Sequence, residues 1–215
     1  MKRLTAIFLL AALPAAAADP STEWQLLPRF ADDQVFSDAE FPRHPAPGGF
    51  ALTVVDGRWH LVAATLQTRE ARSPGTFTID ARPAGALAWL RLPGLVAGKV
   101  DTPDMRFQGV RRDLAEADLR MPFNGAAWHI ERRNDMIWIT DGGRRQKLGD
   151  IPRPDSAGNT AAFLLTWAGD LDRDGKLDLV TLSASDHGKA MCVWLSSQAT
   201  PGHLLEPMAC SEGPP

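Results

Sequence analysis

Residues 50–63 read Phe-Ala-Leu-Thr-Val-Val-Asp-Gly-Arg-Trp-His-Leu-Val-Ala. Phe50, Leu52 and Val54 alternate with Ala51 and Thr53, and after Asp56-Gly57 the pattern resumes as Trp59, Leu61 and Ala63. A period of two belongs to a half-buried strand. Asp-Gly between two such runs marks a tight hairpin, because both central residues of the favoured turn need positive φ. The same signals recur along the chain. Thr76 to Ala81 and Ala86 to Leu92 read as strands separated by Pro83 and Gly85. Ala127 to Arg132 and Met136 to Thr140 form a hairpin across Asn134-Asp135, and Asp141-Gly142-Gly143 turns the chain toward Arg144 to Leu148. Repeated short strands and turns predict a mainly β protein, an antiparallel sandwich or a barrel-like sheet. Arg111 to Met121 stays open between helix and strand, since Ala115, Glu116 and Ala117 favour helix while their surroundings favour extended chain.

The first residues, MKRLTAIFLLAALPAAAADP, carry Lys2 and Arg3, an apolar run from Leu4 to Leu13, and an Ala-x-Ala cut near residues 16–18. That is the pattern of a secretory signal peptide over residues 1–18. The run is shorter than the roughly 20 apolar residues of a spanning helix, and no later stretch is apolar enough to span. The expected product is therefore periplasmic or secreted, with no membrane span after cleavage. Loss of Lys2 and Arg3 takes the net charge from −3 to −5. A mildly acidic chain is a poor partner for nucleic acid, and the pairs Arg111-Arg112, Arg132-Arg133 and Arg144-Arg145 are scattered among acids rather than gathered on one surface.

The two cysteines, Cys192 and Cys210, both lie near the C-terminus, and in an oxidising compartment they are expected to pair. A bridge over that interval stabilises by about 3 kcal/mol in the chain-entropy account. A zinc set of His187, Cys192, His203 and Cys210 fits no common finger spacing. Ser185-Asp186-His187 reads as a polar turn, because the members of a catalytic triad converge in space rather than in sequence. The seven tryptophans, 24, 59, 89, 128, 138, 167 and 194, fall mostly on apolar strand faces and read as core. His44, His60 and His129 have no companions at metal-ligand spacing.

Pro, Ser and Gly cluster in Ile151 to Asn159, a linker between a β-rich region at 19–150 and a C-terminal region at 160–215. Whether the two are separate domains or one continuous sandwich is open at this level. The C-terminal region holds the stretch with chemistry, Gly169-Asp-Leu-Asp-Arg-Asp-Gly-Lys-Leu-Asp178. Carboxylates recur at 170, 172 and 174, Gly175 permits a sharp turn, and Asp178 adds a fourth acid. Calcium takes six to eight oxygens, and a short loop supplies them from alternate residues and a backbone carbonyl, here that of Lys176. A plain acidic turn is the alternative, against which the spacing, Gly175 and the fourth acid all count.

The twelfth position, Thr181, replaces the bidentate Glu of an EF-hand, and strand-like runs flank both sides. GDLDRDGKLDLV instead resembles the D-x-D-x-D-G-x-x-D loop of FG-GAP and VCBS-type repeats, as in integrin α-subunit propellers, over residues 160–197. The resemblance implies a calcium-binding β-hairpin whose ligands are Asp170, Asp172, Asp174, the carbonyl of Lys176, and Asp178. One loop does not make a propeller, which needs several such repeats. The functional expectation is a non-enzymatic binding module with structural calcium, of inhibitor or immunity type, acting on a protein or glycan in the cell envelope. The alternatives are a calcium-stabilised hydrolase with dispersed catalytic residues and a structural envelope component.

Overall fold

The structure, a computed structural model, describes residues 25–29, 34–103, 112–114, 118–151, 162–185 and 188–213. The signal segment, Trp24, Arg111, the Ala115–Ala117 stretch, nearly all of the 151–159 linker, Asp186 and His187 lie outside the described residues. Strands account for 59% of the described residues and helix for 1%, so the fold is mainly β, with several antiparallel sheets and no closed barrel or propeller among them.

In chain order the strands are β1 (Leu26–Pro28), β2 (Val35–Ser37), β3 (Phe50–Val55), β4 (Arg58–Ala63), β5 (Thr65–Glu70), β6 (Thr76–Arg82), β7 (Ala88–Leu90), β8 (Gly98–Lys99) and β9 (Arg112–Asp113). They continue as β10 (Asp118–Phe123), β11 (Ala126–Arg133), β12 (Met136–Thr140), β13 (Arg145–Asp150), β14 (Ala162–Gly169), β15 (Asp178–Ser185), β16 (Gly188–Leu195) and β17 (Glu206–Gly213). Four sheets result, ordered β2-β6-β5, β1-β7-β3-β4-β8, β17-β16-β15-β14-β9 and β10-β11-β12-β13. The ambiguous segment at 111–121 contributes extended chain at both of its ends, as β9 and the start of β10.

Three buried clusters join these sheets in that order. Phe36, Phe77 and Ile79 of the three-stranded sheet meet Ala51 and Trp89. Leu52, Leu61 and Leu90, from the β3-β4-β7 sheet, share a cluster with Trp167, Val180 and Val193 of the C-terminal sheet. Leu165 and Leu179 of the C-terminal sheet pack with Ile130, Ile137 and Leu148 of the meander β10–β13. Each of the two middle sheets thus has both faces covered, and Ala51 and Leu52, neighbours in sequence, are both fully buried on opposite sides. The one-sided alternation expected for β3 breaks down for this reason, and near the turn Val54 and Val55 are exposed. Two of the clusters also draw on residues from both sides of the 151–159 linker.

The tight turns are where the dipeptides put them. Asp56 and Gly57 take φ of 49° and 74°, and Asn134 takes 56°. A further hairpin turns at Asn124-Gly125, with φ of 46° and 81°. Cys192 and Cys210 stand directly opposite each other on β16 and β17 and form the disulfide. The bridge closes the zinc alternative by consuming both thiols. Trp89, Trp128 and Trp167 are buried core residues, whereas Trp59, Trp138 and Trp194 are half-buried.

Candidate metal centre

β14 and β15 pair from Ala162↔Ala184 down to Gly169↔Asp178, so residues 170–177 form the loop that joins them. A bulge at Thr166, where the register slips between Leu165 and Trp167, shifts the facing of the strand by one residue. It turns Trp167 toward the β3-β4-β7 sheet and Ala168 toward the meander. Thr166 satisfies its hydroxyl on the Val180 carbonyl (2.8 Å). Gly169 is required by close approach, because a Cβ there would lie 2.5 Å from the Asp101 carbonyl and 2.6 Å from the Trp167 ring.

The loop is pinned from three directions. The Asp170 backbone N–H donates to the Asp101 carbonyl (2.8 Å), an isolated antiparallel bridge to the chain just past β8. Arg173, held at φ 65°, sends its guanidinium to the carbonyls of Ala97 (2.8 Å) and Lys99 (3.3 Å). Asn124, in the β10–β11 turn, donates its side-chain amide to the Gly175 carbonyl (2.9 Å). From the far end of β16, the Ser196 and Ser197 hydroxyls reach Asp174 and Asp172.

The acids divide into two kinds. Asp178 is fully buried, and both of its oxygens are engaged: Oδ2 accepts from the Leu171 N–H (2.7 Å), Oδ1 from the Ser196 N–H (2.8 Å) and hydroxyl (3.1 Å). Burial pushes its pKa up to about 7, against the opposing pull of the Ser196 and Leu171 donors and with added repulsion from Asp172. Asp170, Asp172 and Asp174 instead converge, each with one carboxylate oxygen within 4.8 Å of the others. Oxygens that each sit about 2.4 Å from a shared cation can be no farther apart than twice that distance, so the three are at ligating separation.

Asp170 carries the test of fit. It is 8% exposed, and while its Oδ2 accepts the Gly175 N–H (3.0 Å), its buried Oδ1 has no hydrogen-bond partner. Burial first, then the charges of Asp174 and Asp172, raise its pKa against the pull of the Gly175 and Arg173 backbone N–H groups. A buried anionic oxygen without a partner is costly unless a cation completes it. The oxygen-only donor set suits a hard metal ion. Lys176 lies outside this trio; its backbone N–H and ammonium group both go to Asp174 (2.8 and 3.1 Å).

Five contacts of the loop, from Asp101, Asn124, Arg173, Ser196 and Ser197, were not among the residues singled out in the sequence. Ser196-Ser197, a polar pair closing the apolar strand β16, was the available signal; the others depend on pairings far apart in the chain. No protein family matches the chain, and neither a characterised protein nor a solved structure does. What fold and site define is a layered antiparallel β protein with an aspartate trio able to hold a metal ion. Among the described residues no helix is long and apolar enough to cross a membrane. The disulfide is compatible with an oxidising, extracytoplasmic compartment.

Proposed function

We infer that this is an exported calcium-binding β protein, a non-enzymatic binding module of the periplasm or extracellular space in which calcium has a structural role. The observation that carries the reading is the partnerless buried Oδ1 of Asp170 beside the convergent carboxylates of Asp172 and Asp174. These three supply side-chain oxygens, the Lys176 carbonyl adds one as the FG-GAP-like loop pattern implies, and Asp178, a ligand in that pattern, braces the loop here through the N–H groups of Leu171 and Ser196. Calcium accepts such a mixed and uneven oxygen set more readily than smaller cations do.

A structural role follows from what the loop touches. It ties 97–101, the 124–125 turn and 196–197 to one ion-binding segment, so the ion would fix three sheets at their common end. The partner would be a protein or glycan of the cell envelope, consistent with an inhibitor or immunity role. Isothermal titration of the metal-stripped protein with calcium tests the site. One ion per chain is expected, with Kd on the order of 10⁻⁴ to 10⁻³ M as in extracellular calcium modules, and Asp170→Asn should abolish the heat. No heat in the wild-type protein up to several times that concentration contradicts the reading.

A further inference from the structure

On the side of the loop facing β4 lies a cleft of about 370 Å³, walled by Arg58, Trp59, Lys99, Asp101, Thr102 and Trp167. That volume is within the range of small-molecule sites. Trp59 and Trp167 meet edge to face, ring centroids 6.4 Å apart and planes at 75°. Trp167 is 2% exposed, yet its indole N–H has no acceptor. Trp89 and Trp138 also lack one, but neither lines this cleft. A buried N–H costs free energy unless an acceptor reaches it, and Trp167 is part of the cleft wall.

The charges point the same way. Lys99 is committed to Asp101, Nζ to Oδ1 at 2.7 Å. Arg58 is exposed and, among the described residues, has no ion-pair partner. The cleft therefore offers a guanidinium with no ion-pair partner among the described residues and a half-buried indole, with an unpartnered buried indole N–H in its wall, and its one carboxylate is already paired with Lys99. We propose that it binds a carboxylate carried on a ring, the acid on Arg58 with an oxygen in reach of the Trp167 N–H, the ring against Trp59. A guanidinium binds a carboxylate in a fork and an indole face covers a flat or ring-shaped body, so the two recognise different ends of one ligand. The proposal does not rest on the metal reading, although Asp101 belongs to the cleft and bridges to Asp170, so ligand and ion would be coupled.

Uronic-acid sugars and aromatic acids both present this chemistry. The ¹⁵N-labelled full chain is titrated with a uronic-acid disaccharide in one arm and benzoate in the other, with the methyl ester of each as neutral control, and the indole N–H resonances are followed. At least one acid should shift an indole N–H saturably, with its ester about tenfold weaker or worse, and Arg58→Gln should weaken the acid by a similar factor at unchanged melting temperature. The arm that responds identifies the ligand class. If neither acid shifts an indole N–H by about 10 mM, or acid and ester bind alike, the proposal is overturned. The ester comparison decides the matter even where the Arg58 variant is destabilised. Repeating the titration in chelator separates the two readings, since binding that persists there supports the cleft whatever the fate of the metal site.

Discussion

Two hairpins of this molecule join long antiparallel strands by opposite means. β3 and β4 connect through Asp56 and Gly57 alone, both at positive φ, and the strands pair from the residues next to the turn. β14 and β15 connect through the eight residues 170–177, between Gly169 and Asp178. The short turn closes its strands with two backbone conformations and leaves its acid, Asp56, exposed. The long loop gathers four carboxylates, buries two of them, and leaves one buried oxygen unpaired. Reversing the chain requires none of this, so the long loop must gain its stability from something the short turn does not need. The cation proposed for this loop would account for that difference.

The largest effect should come from the acid that organises the loop. Asp178→Ala strands the buried N–H groups of Leu171 and Ser196, each worth roughly 1–3 kcal/mol when unsatisfied. Denaturant unfolding should show a loss of about 3 kcal/mol with or without calcium. A loss seen only in calcium would make Asp178 chiefly a ligand rather than a brace. In the short turn, Gly57→Ala places a side chain at φ 74° and should cost about 1 kcal/mol, by an amount indifferent to calcium. Calcium dependence at Gly57 would erase the contrast between the hairpins.

A smaller effect concerns pH. Burial raises Asp178 to about 7, well above the unfolded carboxylate near 3.8, so the metal-free native state holds a proton that the unfolded chain releases. This contribution is fully present below the unfolded pKa and is lost as pH rises through about 7. Metal-free protein should therefore lose stability between about pH 4 and about pH 7, and saturating calcium should flatten the slope, because the ion favours the charged loop. Equal slopes with and without calcium would remove the link between the ion and the buried acids.

Much of the architecture was legible in local signals. Asp56-Gly57 and Asn134-Asp135 marked their hairpins, Cys192 and Cys210 announced their bridge, and the acid spacing of 170–174 located the trio. Asn124-Gly125 carries an equally clear turn signal, with Pro122 just before it. Double burial was not legible, because a strand covered on both faces shows a continuous apolar run and not an alternation. That is why Ala51 and Leu52 mislead. The division of labour among the acids was hidden for a similar reason. Whether an Asp faces an ion or a backbone N–H depends on Ser196, which arrives from the end of β16. Short strands such as β1, β2 and β8 exist through their partners more than through their own sequences.

The central claim, that an ion completes the 170–178 loop, is tested most directly by calorimetric melting of the metal-stripped protein with and without calcium, beside Asp172→Ala. At calcium about 100-fold above Kd, a stabilisation of about 2.7 kcal/mol is predicted for the wild-type protein. Asp172→Ala should melt at the same temperature in calcium as in chelator. An unchanged wild-type melting temperature at that calcium concentration, with Asp172→Ala melting identically to it, would contradict the account.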